Sequence, residues 1–353
     1  MTEFLIDTFG DARALGIAGL LVGLLFGVAA QRSRFCLRAA TVEVAEGLFG
    51  PRLAVWLIAF TTALALVQGA LAVGALRLDE ARVLAATGSL SGAVAGGLMF
   101  GAGMILARGC ASRLLVLASS GNLRALISGL VVTLVAQASY RGALSPAREE
   151  ISALWTIPGG ATRDIGTVFE VSHAAVACLA VGALIASLVL ARARQVPVGR
   201  IMAGCAVGLA VALGWIATFV ISQASFELVP VASVTVTGPA TDTLMALVAN
   251  PSVPVSFGIG LVPGVALGAA AAALAAGEWR LERFGEDTPM ERYLIGAVLM
   301  GFGAMLAGGC AVGAGLSGGS ALSLTAWLAV FSMWVGAVAT QRLVAGTTHL
   351  RAT

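Results

Sequence analysis

Apolar runs of close to twenty residues, each closed by a short polar break, occupy almost the whole chain. A helix needs about 20 apolar residues to cross a bilayer's hydrocarbon core. On that basis the pattern predicts about nine membrane helices, near 14–31, 53–76, 90–108, 114–138, 172–191, 200–222, 254–277, 294–311 and 321–341. The fold class expected is therefore an all-α membrane protein. With the N-terminus outside, the cytoplasmic segments 32–52, 108–113, 192–200, 278–293 and 342–353 hold 14 arginines, against 6 in 1–13, 77–89, 139–171, 223–253 and 312–320. The excess of positive charge places the N-terminus outside and the C-terminus in the cytoplasm of an inner-membrane protein.

Composition narrows the reading further. The 353 residues are 59% hydrophobic and 11% charged, with a mean hydropathy of +0.96, which leaves no room for a sizeable soluble domain. All 21 basic residues are arginines spread among the breaks, a pattern of membrane topology and not of nucleic-acid binding. Glu3, Asp7 and Asp11 outweigh Arg13 ahead of the first apolar run, and no small-residue cleavage site follows it, so a removable signal peptide is not expected. The five cysteines, Cys36, Cys110, Cys178, Cys205 and Cys310, are too dispersed for a disulfide framework or a zinc site and read as free thiols.

An internal repeat organises the chain. GAGMILARGCA (101–111) aligns without gaps on GFGAMLAGGCA (301–311) at an offset of 200, with seven of eleven positions identical. A weaker echo links Gly19–Gly23 with Gly204–Gly208, so that span 1 matches span 6 and span 3 matches span 8. Five crossings separate each pair, and an odd number makes the copies opposite in orientation. The expectation is two inverted repeats, 1–138 and 199–353, joined by an outer linker and connecting helix over 139–198, with short or broken helices at the Gly-Cys motifs. Such repeats place a substrate site near the membrane midplane.

The candidate chemistry gathers on those motifs. Glycine at the density of Gly101, Gly103 and Gly109, and of Gly301, Gly303 and Gly309, permits close helix packing or a break that presents backbone N–H groups to an anion. Cys110 and Cys310 would approach the pseudo-twofold axis as weak S–H donors, because apolar surroundings disfavour the thiolate. At the end of the first span Arg32, Arg34 and Arg38 crowd Cys36, an arrangement suited to an exit site for an anion, and Arg108 flanks Cys110. Cys178 and Cys205 read as small apolar residues. Two histidines, His173 and His349, are too few and too far apart for a metal site, and no phosphate loop, nucleophile elbow or carboxylate relay appears. No cofactor, metal or catalytic group is expected, and transport is the function class that remains.

Arg34-Phe-Cys36, Gly109-Cys110, Gly214-Trp215 and the block from Gly301 to Gly318 resemble the YeeE/YedE sulfur-transport family over nearly the whole chain. The resemblance implies uptake of a small inorganic sulfur anion, thiosulfate first, with thiols on a central axis passing the ion by S–H hydrogen bonds. Cys36, Cys110 and Cys310 match the family's cysteines, and the associated partner is a small cytosolic sulfur-carrier protein. Ala311, Ala314 and Met305 depart from a common family form that carries polar or basic residues there, which bears on the choice of sulfur species. The translocation residues expected are Cys36, Cys110, Cys310, Gly109, Gly309, Arg34 and Arg108. A second reading is a membrane component of a persulfide-transfer or selenium-handling system, with Cys36 as the reactive thiol.

Overall fold

The computed structural model describes residues 10–225, 227–249, 254–283 and 290–352; Glu3 and Asp7 lie outside them. The first half runs through α1 (Asp11–Ser33), α2 (Leu37–Ala45), α3 (Pro51–Ala72), α4 (Leu90–Leu106), α5 (Ala111–Ser119) and α6 (Leu123–Arg141). A short helix α7 (Ser145–Ala153) and the connecting helix α8 (His173–Ala193) follow. The rest comprises α9 (Val198–Ala224), α10 (Thr237–Ala249), α11 (Phe257–Ala275), α12 (Met290–Leu306), a π-helical turn over Gly313–Gly318 and α13 (Leu324–Ala352). The sole sheet among the described residues is the two-residue pairing of β1 (Gly88–Ser89) with β2 (Thr156–Ile157).

Helix starts are secured by local chemistry. Pro51 opens α3, where the buried carboxylate of Glu43 accepts the Arg52 and Leu53 amides at 3.1 and 2.9 Å, satisfying donors that a helix start leaves orphaned. Ser89 Oγ accepts the Gly92 amide at 2.8 Å at the start of α4, and Asn122 Oδ1 accepts the Ala125 amide at 2.8 Å at the start of α6.

Between helices in lipid there is no hydrophobic driving force, so small residues that let backbones touch decide the packing. A Cβ on Gly96 would lie 2.6 Å from the Gly303 carbonyl oxygen, and one on Gly103 would lie 2.5 Å from that of Gly296. These contacts make α4 and α12 antiparallel, although their sequences correspond. The same glycine contacts run α1 beside α11, through Gly23 on Leu261 and Gly27 on Val265, in parallel. They run α3 beside α9 in parallel too, through Gly208 on Ala59 and Ala63. Exchanging the halves turns the first of these pairings into the second.

Eight helices among the described residues are long and apolar enough to cross a membrane. The eighth predicted span, 294–311, falls on α12, whose 17 residues extend about 25 Å, short of the roughly 30 Å hydrocarbon core; α4 is equally short, and its span is long enough only when taken through the break as Leu90–Ser119. Lipid is the natural neighbour of α8, where Leu179, Ile185 and Val189 are exposed and just three residues are buried.

Helix ends and the segments beside them are tied to one another at both ends of the bundle. Arg34 and Gln31 bond Glu278, and Leu123 N donates to the Glu282 carbonyl at 3.1 Å; at the other end Ser323 Oγ donates to Val83 O at 3.1 Å and Ile165 N to Leu322 O at 3.0 Å. Three segments read as surface loops instead contribute buried chain. Cys110, Ala111 and Ser112 of 108–113 are buried, as is the π-turn of 312–320. In 223–253, residues 231–235 enter the bundle as an extended strand whose backbone is satisfied by side chains: Thr218 Oγ1 donates to Ala232 O at 2.6 Å and Ser317 Oγ to Val234 O at 2.6 Å. Polar breaks in a hydropathy pattern therefore mark chain that has found partners inside the protein as well as chain that has reached water.

The glycine contacts predict a contrast. Gly303→Ala should lower stability by about 2 kcal/mol through overpacking against α4, whereas Gly69→Ala, with nothing within 4 Å of the added methyl, should be neutral or mildly stabilising. Thermal unfolding in detergent measures both, and equal midpoints would contradict the packing argument.

Candidate functional site

Each of the three motif cysteines follows a helix that has just been stopped. Two residues before it stands a residue in the left-handed region: Arg34 at φ 55° before Cys36, Arg108 at φ 53° before Cys110, and Gly308 at φ 78° before Cys310. At the second and third breaks the geometry is shared in detail. Gly109 N donates to Met104 O at 3.1 Å and Gly309 N to Ala304 O at 2.9 Å, the long-range bond that closes a helix on a left-handed residue. Glycine is the ordinary occupant of that position, and arginine there costs about 1–2 kcal/mol, so Arg108 is held against a local preference that Gly308 does not face. Gly109 and Gly309 then let the chain fold back: a Cβ on either would lie 3.2 Å from Leu114 or 3.1 Å from the Ala314 amide.

Beyond the breaks, new helices begin at the cysteines. Cys36 is the N-cap of α2 and Cys110 the N-cap of α5, and neither start has a side-chain capping hydrogen bond. Their first-turn N–H groups stay available to another acceptor, with the positive end of each helix behind them.

The Cys36 and Cys110 thiols lie within hydrogen-bonding reach of each other. Ser112 Oγ is 3.4 Å from Cys110 Sγ. In the second half the corresponding place is taken by the extended strand, whose Thr235 Oγ1 sits 3.9 Å from Cys310 Sγ. Cys110 and Cys310 are each 1% exposed, and the cysteines are free thiols. Each half thus pairs one Gly-Cys thiol with a partner from the segment after its own first helix: a second thiol in one, a hydroxyl in the other.

The residues singled out in the sequence are therefore distributed as follows. Cys36 and Cys110 come together, while Cys310 takes Thr235 as its hydrogen-bonding neighbour. Gly109 and Gly309 shape the two matched breaks. Arg34 is exposed and ion-paired with Glu278 at 3.2 Å, and Arg108 is exposed beside the second break. Cys178 is exposed on α8 and Cys205 half-buried on α9, away from the breaks. Thr235 escaped the sequence reading. The alternation Val-Ala-Ser-Val-Thr-Val-Thr over 231–237 was the available sign, since it fits an extended strand with a polar edge and not a helix.

Chemically, this is a set of thiol and hydroxyl groups and helix starts without side-chain caps between apolar walls. It suits a small polarisable anion that sheds water and keeps hydrogen bonds. The arrangement defines a multi-pass membrane protein with a polar site built from broken helices in its interior. The chain belongs to the sulphur transport family, whose model matches residues 32–339. It is 32% identical over 327 residues to the thiosulfate transporter TsuA of Spirochaeta thermophila, covering 88% of this chain and 93% of that one. To the thiosulfate transporter TsuA of Escherichia coli it is 27% identical over 349 residues, covering 91% and 92%.

The thiol contact has a direct check. Mild oxidation of the purified protein should join Cys36 to Cys110 in one chain, seen as a linked peptide pair by mass spectrometry and absent from Cys36→Ser; a dominant Cys110–Cys310 link would contradict the arrangement.

Proposed function

We propose that the protein takes up thiosulfate across the bacterial inner membrane, from the arginine-poor face to the arginine-rich one, with the N-terminus outside and the C-terminus in the cytoplasm. The two halves act as inverted repeats, and each contributes one broken helix to the pathway. The anion first meets Cys310 and Thr235, passes to Cys110, and leaves past Cys36. The S–H groups donate hydrogen bonds to it throughout, and the uncapped starts of α2 and α5 offset its charge on the inner part of the path.

The observation that carries this reading is the repeated break, in which a left-handed residue precedes a cysteine by two positions at all three motif sites. A bare cysteine in an apolar helix is most often only a small side chain. Three thiols delivered by the same backbone device, two of them in corresponding positions of the halves, call for a shared ligand. Names of the two relatives support thiosulfate as that ligand. The charge-poor entry favours a soft anion held by neutral donors, and passage of this kind changes no bond within the ion. On release, a small cytosolic sulfur-carrier protein is the natural recipient.

Growth of a bacterium lacking sulfate uptake, supplied with thiosulfate as its sulfur source, tests the assignment. The wild-type chain should restore growth, and Cys110→Ala or Cys310→Ala should each reduce it at least about tenfold in uptake rate, the effect of losing roughly 1.4 kcal/mol of stabilisation along the path. Undiminished growth of both variants would remove the thiol relay.

A further inference from the structure

We propose that Arg38 and Arg113, backed by Arg292, form a second anion site on the arginine-rich side of the Cys36–Cys110 pair, one that takes a doubly charged tetrahedral oxyanion of the sulfate type. It rests on the transport reading only for its place in the pathway; the site itself follows from charge.

Arg38 is the second residue of α2 and Arg113 the third of α5, the two helices whose N-cap cysteines touch. Both arginines are electrostatic neighbours of Cys36. Around Arg38 lie Arg108, Arg52 and Arg292 as well, the last from the start of α12. Five cations thus gather at the mouth beside the thiol pair.

What marks the gathering as a site is the absence of counter-charge. Among the described residues, Arg38, Arg108, Arg113 and Arg292 form no ion pair, and Arg52 lies 4.0 Å from a Glu43 carboxylate already engaged with the start of α3. Buried N–H groups on Arg38 (Nε), Arg113 (Nη1) and Arg292 (Nε) likewise find no hydrogen-bond partner among those residues. Arg34, by contrast, has Glu278, and Arg124 donates to Tyr293 at 3.0 Å.

Clustered like charges with unmade hydrogen bonds are held at a cost that a bound dianion would reverse, turning repulsion into charge-assisted bonds. Guanidinium pairs fit tetrahedral oxyanions in particular, because each presents a planar fork of donors. Selection here is by charge, unlike the selection by soft neutral donors at the cysteines. Sulfate should therefore bind at this mouth even where the thiol-lined passage does not carry it.

Equilibrium binding of radiolabelled sulfate to the purified full chain in detergent, at low ionic strength, tests the site. The wild type should bind sulfate, and Arg38→Gln and Arg113→Gln should each weaken it about tenfold, the effect of removing one charge-assisted contact. Arg38→Lys, which keeps the charge, should retain most of the affinity and guards against a folding defect in the glutamine variant. No sulfate binding by the wild type, or wild-type affinity in both glutamine variants, would overturn the proposal. Arginine-dependent sulfate binding by a chain that takes up no thiosulfate would support this site and sink the transport reading.

Discussion

A peptide group stripped of water inside a bilayer costs several kcal/mol unless it finds a partner, and every unusual feature of this bundle answers that constraint. Stopping α4 and α12 short frees backbone groups in an apolar setting. The chain meets the cost by closing each helix on a left-handed residue, with Gly109 and Gly309 returning bonds to Met104 and Ala304, and by starting new structure at once from Cys110 and Cys310. The strand at 231–235 meets it differently, through Thr218 and Ser317 side chains. Close glycine contacts between α4 and α12 keep lipid away from both breaks. Neither α2 nor α5 has a side-chain capping hydrogen bond at its start.

The halves share this plan but differ in what they install. One has Cys36 opposite Cys110 with arginine at position 108; the other has Thr235 opposite Cys310 with glycine at 308. On the proposed path, this unmatched charge leads an inward-moving anion from Cys310 and Thr235 toward the thiols and arginines of the first half. Arg34 pairs with Glu278, which ties the first break to the loop after α11.

Much of the fold was legible in the sequence because hydropathy and the Gly-Cys repeat are local signals. The offset of 200 between Cys110 and Cys310 marked the two breaks that share a left-handed residue and a returning glycine bond. Three things were not legible. The contact of Cys36 with Cys110 depends on how the α1–α2 break docks against α5, which no spacing encodes. Thr235 lay in a stretch whose polar alternation resembles an exposed loop until Ser317, 83 residues away, supplies its neighbour's hydrogen bond. Arg292 stood among topology-setting charges, and nothing in its local sequence distinguishes an arginine facing water from one facing Arg38.

The central claim is that the ion crosses intact, held by hydrogen bonds and never by a covalent bond to sulfur. Purified protein in liposomes, supplied with thiosulfate carrying a radioactive label on the outer sulfur and oxygen-18 on the sulfonate oxygens, tests it directly. The account predicts both labels inside the vesicle in the same molecule, with no label left on protein. Radioactive sulfur retained on Cys36 as a persulfide, with labelled sulfite released, would contradict it and make the protein a sulfur-transfer device.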